Sequence, residues 1–307
     1  MSGSDPKAAE GASASQPGRH GERAGSPPLI SVVMPVLNAA DHLPRCLRSL
    51  AGQQERAFEV IVVDGGSGDG SLEQAGQRLS AAAVPHRLIT LQGSSIYGAM
   101  NHGIGCARGD WLYVLGADDA LADDRVFAAM AQALRLAPPR VLVVHGDVWI
   151  EDPGYRYGQA WTLPQLLERN LSHQAAFYRR AAIQDLGITY NEAYPLYADW
   201  DYNIRLLARG PFQHVPILIA SYACGGASSR RQDERFLAEK EARALEACGW
   251  RACWQMPPDR FALGCNQRGS EPRPLQRLLN RGLWAGRRRL QWLARLRTRQ
   301  AAADRAG

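Results

Sequence analysis

The chain lacks the features that would carry it across a membrane. No run of about eighteen apolar residues, the length of a spanning helix, occurs anywhere in its 307 residues. The N-terminus lacks the basic-then-apolar order of a secretory signal, which predicts a cytoplasmic protein. Cysteine is sparse: the six residues, at 46, 106, 224, 248, 253 and 265, form no CxxC pair. A zinc site on Cys248, Cys253 and Cys265 has no fourth ligand nearby, so reduced and mostly buried thiols are expected. There is no internal repeat, and no Asp or Glu stands between Glu73 and Asp110.

What is present reads as a globular protein, with 46% hydrophobic and 21% charged residues. The net charge is +6, and much of the arginine excess lies beyond residue 270. That distribution predicts a local basic surface and no nucleic-acid-binding fold. Residues 1–28 are rich in Gly, Ser, Ala and Pro without apolar periodicity and read as a disordered leader. Residues 29–250 form the expected folded domain, and 251–307 a basic extension. Within that extension, residues 274–299 place Leu275, Leu278, Leu279, Leu283, Leu290, Leu293 and Leu296 in one helical stripe, with arginines opposite. Such a helix either docks on its own domain or lies on an anionic membrane surface.

Strand and helix patterns alternate from residue 29 to about 115. Strands are expected at Ile30–Met34, Phe58–Val63, near 87–91 and at Trp111–Leu115. Helices are expected after Asp41 (a candidate cap, with Leu43, Leu47 and Leu50 on one face), near 71–83 and over Tyr97–Ala107. This alternation predicts an α/β fold with a largely parallel sheet, whose ligands bind beyond the carboxyl ends of the strands. Asn38, Asp64 and Asp118 all follow such ends. Beyond residue 140 the pattern loosens: a strand at Val141–Val144, a helix near 164–169, a helix at Asp199–Ala208, a Gly/Ser loop at 225–231 and a charged helix at 233–248.

Several segments carry chemistry. Asp118-Asp119 directly follows an apolar strand, and such acids either cap a helix before Leu121 or hold a hard divalent cation against a diphosphate. Asp199-Trp200-Asp201 opens a helix, as capping acids or as a base for an acceptor hydroxyl. His173-Gln174 reads as a satisfied core histidine or as one that supports a site from behind. The run Asp64-Gly65-Gly66-Ser67-Gly68-Asp69-Gly70 fits a ligand-approaching loop, and its spacing also resembles the first motif of S-adenosylmethionine-dependent methyltransferases. That competitor needs an acidic residue about twenty positions on, inside the stretch that has none.

Taken in order, Ser31–Asn38, Glu59–Ser71, Ile96–Ile104, Leu115–Asp119, His173–Ala175, Asp199–Arg205 and Gly225–Ser228 resemble the inverting family 2 glycosyltransferases, in a branch similar to bacterial polysaccharide assembly of the colanic-acid type. The resemblance spans roughly residues 29–245. It implies a GT-A fold, with a mostly parallel central sheet flanked by helices. It also implies a nucleotide-diphosphate sugar as donor and a glycan or lipid-linked acceptor. Donor binding would fall to Pro35, Asn38, Asp64, Asp118 and Asp119, with Asp118 facing a Mg or Mn ion and Asp199 acting as general base. His173 and Asp201 would stand on the acceptor side, while the charge and position of Arg230 and Arg231 suit them to close over the phosphates. Gly116 stands where the wider family often has an Asp, a change that the branch tolerates. The chain departs from the branch itself in lacking its carboxylates at Gly93 and Gly98 and an acidic group at Ala198. That motivates a second reading, a catalytically silent nucleotide-sugar binder, which retention of Asp118 and Asp199 opposes.

Overall fold

A computed structural model describes residues 27–222, 231–249, 255–257, 259, 260 and 263. Arg230, most of the 225–231 loop, nearly all of the leader and extension, and the 274–299 helix lie outside the described residues.

The first half alternates β1 (Ile30–Val36), α1 (Leu43–Ala51), β2 (Phe58–Asp64), α2 (Ser71–Ala81), β3 (His86–Thr90), α3 (Ile96–Cys106) and β4 (Trp111–Val114). β1, β2 and β4 are buried along their whole length, as strands covered on both faces require. The second half adds β5 (Ala120–Leu121), α4 (Val126–Leu136), β6 (Val143–Ile150), β7 (Tyr155–Tyr157), α5 (Leu163–Glu168), a 3-10 turn at His173–Ala175, β8 (Ala176–Arg179), α6 (Arg180–Leu186), α7 (Ala198–Leu207), β9 (Phe212–Tyr222) and α8 (Glu234–Cys248).

One sheet unites the strands in the order β3-β2-β1-β4-β8-β6-β9-β5, with β7 on β6. The parallel pairing is concentrated in β3-β2-β1-β4, and β8 runs antiparallel to both β4 and β6. The carboxyl ends of β1, β2 and β4 therefore form one rim. Pro35, though within a central strand, lies past the last β1–β4 pair, Val33–Val114, and so interrupts no ladder on that side. α3 approaches the sheet closely because Gly103 has no side chain: a Cβ there would meet Val33 Cγ1 at 2.5 Å.

Two local expectations are corrected. Asp41 does not cap α1. The cap position is His42 without a side-chain bond, and the carbonyl of Ala39 accepts from the amides of both His42 and Leu43, meeting the donors a side chain would otherwise satisfy. Nor do Asp118 and Asp119 cap a helix. Ala120–Leu121 pairs antiparallel with β9, and the next helix begins only at Val126. Among the described residues, Cys46 and Cys106 are free thiols.

Candidate active site

A cavity of about 630 Å3 opens over the rim. One wall is Pro35, Leu37, Asn38 and Gly65, the floor is Gly116 to Asp119, and the far wall holds Asn170, His173, Asp199 and Trp200.

The first wall is two loops laced together. Asn38 adopts a left-handed φ of 47°, a conformation asparagine tolerates better than most residues. Its Oδ1 accepts from the Gly68 amide at 3.0 Å, and its own amide donates to Ser67 Oγ at 2.8 Å. Asp64 sits behind this wall, 2% exposed. Its Oδ2 accepts from the amides of Gly66 and Ser67 at 2.9 Å each, and its Oδ1 from Ser67 Oγ. The glycine-rich turn is thus folded around Asp64, while Gly65 rather than Asp64 lines the cavity.

On the floor, Gly116 explains how two acids share one corner. A Cβ at 116 would lie 2.8 Å from both Asp118 Oδ1 and Asp119 Oδ2, so only glycine leaves these oxygens room. Asp119 is buried and accepts from Gln174 Nε2 at 2.8 Å. Asp118 is half-buried and lines the cavity. Beneath them, burial first, and then the charges of Asp119 and Asp118, push the Cys46 thiol well above its usual range, so it stays neutral. Among the described residues no group of three or more His, Cys, Asp or Glu forms a metal cage. The two carboxylates nevertheless fit Mg or Mn, which use one or two protein carboxylates and fill the remaining positions with phosphate oxygens and water.

The far wall centres on Asp199, 9% exposed at the start of α7. Its Oδ1 accepts from Tyr97 Oη at 3.1 Å and the Trp200 amide at 2.9 Å. Its Oδ2 accepts from Asn170 Nδ2 at 2.8 Å and faces His173 Nδ1 at 3.4 Å. Asn170 is itself fixed, because its Oδ1 accepts from Asn203 Nδ2 at 2.9 Å, and Asn203 Oδ1 accepts from Tyr178 Oη at 3.1 Å. Burial, and then the negative charge of Asp199, raise the Tyr97 hydroxyl well above its ordinary value, keeping it a donor. Burial opposes protonation of His173, but the hydrogen bond to Asp199 and the charges of Asp199, Asp119 and Asp118 outweigh it, so its pKa is raised.

Asp201 is not brought to the cavity. It is fully buried, accepts from Arg205 Nε at 2.7 Å and Arg243 Nε at 3.0 Å, and ties α7 to α8. Arg231 is exposed. Asn170 and Tyr97 were not singled out as site residues from the sequence. Tyr97 lay inside a recognised segment, whereas nothing local marks Asn170, whose role comes from packing of α5 and α7. Position 98 is equally instructive. A Cβ on Gly98 would lie 2.7 Å from Glu192 Oε2, which accepts from Ser95 Oγ at 2.6 Å. Ser95 Oγ in turn caps α3 through the Gly98 amide.

Comparison with known proteins gives a consistent picture. The family described as Glycosyl transferase family 2 matches residues 31–187. A PGL/p-HBAD biosynthesis glycosyltransferase of Mycobacterium bovis is 40% identical over 218 residues, covering 68% of this chain and 83% of that protein. Among solved structures, S. aureus TarS in complex with UDP-GlcNAc has a TM-score of 0.60 at 16% identity, covering 78% of this chain and 79% of its own. Mannosyltransferase PcManGT from Pyrobaculum calidifontis, in complex with GDP-Man and Mn2+, has a TM-score of 0.52 at 17% identity, covering 84% and 80%. The last two likenesses concern the fold.

Proposed function

From the premise that this chain belongs to glycosyl transferase family 2 and is a GT-A-fold glycosyltransferase of glycan biosynthesis, we propose that it moves a sugar from a nucleotide diphosphate to a hydroxyl of a glycan or lipid-linked acceptor, with inversion. Family membership removes the methyltransferase reading of the glycine-rich turn, and the enzymatic character of the chain removes the silent-binder reading.

The observation that carries the proposal is that one cavity joins the loops of Asn38 and Gly65, the acids Asp118 and Asp119, and Asp199. Pro35, Asn38 and the turn braced by Asp64 form the nucleoside end. Asp118, with Asp119 held by Gln174, is the place for a divalent cation, which when bound offsets charge on the departing diphosphate. The names of the fold neighbours, which bind UDP-GlcNAc or GDP-Man with Mn2+, support a nucleotide-sugar donor and a metal. Arg230 and Arg231 are assigned to the phosphates on charge and chain position. Acceptor deprotonation falls to Asp199, which lines the same cavity as the nucleoside loops and has His173 beside it. In-line attack on the anomeric carbon then expels the diphosphate from the opposite face.

No helix among the described residues is long and apolar enough to cross a membrane. A lipid-linked acceptor is reached in this proposal by the basic 274–299 segment at an anionic surface, on the cytoplasmic face.

Calorimetric titration with UDP, GDP, CDP and dTDP, with and without manganese, tests the donor site. One diphosphate is expected to bind selectively and more tightly with metal, and Asp118→Asn is expected to lose the metal-dependent part. Binding of none of the four by the folded protein overturns the proposal.

A further inference from the structure

The cavity does not end at the residues around Asp199. Its wall continues along β6, β7 and β9, and the register of these strands decides what that wall presents. Residues directly opposite in a ladder share a face of the sheet, as do residues two apart along one strand. Ile150 on β6 is opposite Tyr155 on β7 and Tyr222 on β9. Tyr157 stands two residues from Tyr155 and opposite Val148. Tyr155, Tyr157, Ile150 and Tyr222 therefore share one face, while Trp149, Arg156 and Ser221 share the other.

Ile150, Tyr157 and Tyr222 line the cavity, so the first of these faces belongs to it. Tyr155 is 46% exposed and extends the same face beyond the lining residues. Neighbouring strands lie about 4.8 Å apart, and side chains on one face repeat about every 6.8 Å along a strand. The three tyrosines thus bound a ledge of about 10 by 7 Å.

Hydrogen bonds join this ledge to the reacting end of the cavity. Tyr157 Oη donates to the Asn170 carbonyl, and Asn170 Nδ2 donates to Asp199 Oδ2 at 2.8 Å. The Tyr157 ring also packs against Trp161, with centroids 5.9 Å apart, and meets the Tyr155 ring edge-on at 6.5 Å. An acceptor that places a hydroxyl at Asp199 and extends past Asn170 meets Tyr157 first and Tyr155 next.

Chemistry selects the occupant. A pyranose ring has apolar C–H faces and a rim of hydroxyls. Tyrosine has an apolar ring and a hydroxyl at its tip, so it can lie against such a face while its tip reaches the rim. An alkyl chain would give those tips no partner, and Ile150 alone among the four is aliphatic. None of the four is charged, so an anionic group would find no counter-charge among them.

We propose that Tyr155, Tyr157 and Tyr222 form a subsite for a neutral sugar ring of the acceptor, one unit removed from the ring whose hydroxyl is deprotonated at Asp199. This rests on the glycosyltransferase reading and narrows its acceptor to one carrying at least two sugar rings.

The test is transfer by the full chain from UDP-GlcNAc and GDP-mannose to octyl glycosides of one, two and three sugars, and to octanol. In the wild type, kcat/KM is expected to be higher for disaccharide than for monosaccharide glycosides. Tyr155→Ala is expected to lower that ratio by about three- to tenfold, and Tyr155→Phe, which keeps the ring, to hold most of it. Calorimetric donor Kd reports that each variant is folded. A ratio that Tyr155→Ala leaves alone, or that both variants lower equally, overturns the proposal. So does wild-type protein that uses octanol or monosaccharide glycosides as well as the longer ones. Transfer to none of these acceptors, by protein that binds its donor, overturns the subsite and leaves the donor site standing. Binding of none of UDP, GDP, CDP and dTDP removes the glycosyltransferase reading itself, and the subsite with it.

Discussion

Asp199 and Asp201 stand two residues apart on α7, roughly 200° around the helix, and both are buried. The side facing the cavity surrounds Asp199 with a tyrosine, an asparagine, a backbone amide and a histidine. The side facing α8 clamps Asp201 between Arg205 and Arg243. Permanent cations hold a carboxylate for structure, because nothing in that pairing changes charge under working conditions. Neutral donors and one titratable ring hold a carboxylate while leaving its surroundings able to receive a proton. The contrast lies in the partners rather than in the acids, which is why burial alone does not tell the two apart.

The comparison can be broken most sharply at Asp199. Asp199→Asn is expected to lower transfer by about 10²- to 10⁴-fold with donor binding unchanged by calorimetry, and equal loss of both would make Asp199 a structural acid like its neighbour. Asp201→Asn should do the reverse. It leaves two partly exposed guanidiniums facing a neutral amide, and the cost should be about 2–3 kcal/mol, below the range for fully buried pairs. Urea unfolding reads that loss, and activity per folded molecule should be retained; a drop in turnover without a drop in stability would erase the division of the helix.

A pH-dependent effect sharpens the same point with histidines. His145 is fully buried on β6, and burial, helped by the charge of His214, lowers its pKa to about 4 against the hydrogen bond to the Gly146 carbonyl and the charge of Asp147. The unfolded chain binds a proton there near pH 6.5 and the folded one near pH 4. Stability should therefore fall as pH drops through that window, by up to ~3 kcal/mol. His173 has a raised pKa and tilts the other way: its contribution is complete below the unfolded value and is lost as pH rises through the folded one. Thermal melts of His145→Gln and His173→Gln across pH 4 to 8 should show slopes changed in opposite directions.

The sheet of the first half was legible because each of its central strands is a mostly apolar run that closes at an asparagine, an acid or a glycine: Ile30–Val36, Phe58–Asp64 and Trp111–Val114 were anticipated to within two residues. β9 was not. Phe212–Tyr222 is mostly half-exposed and contains Pro216 and His214, so it presents neither an unbroken apolar run nor clean alternation. β6 continues well past the expected Val144 because the polar His145, Gly146 and Asp147 interrupt its pattern. α4 was not anticipated, although Val126, Phe127, Met130 and Leu134 have helical spacing. In the site, residues at strand ends were legible from order alone. Asn170 and the chain behind it were not, since their meaning depends on which amide faces which across three elements.

Gly98 and Glu192 occupy one place between them. Seen along the chain, position 98 lacks the carboxylate that the branch resemblance implies; seen in space, a carboxylate stands over the first turn of α3, delivered from the segment before α7. A side chain at 98 would turn the exposed Glu192 carboxylate aside. A reading residue by residue along the chain scores as a loss what in space is a change of address.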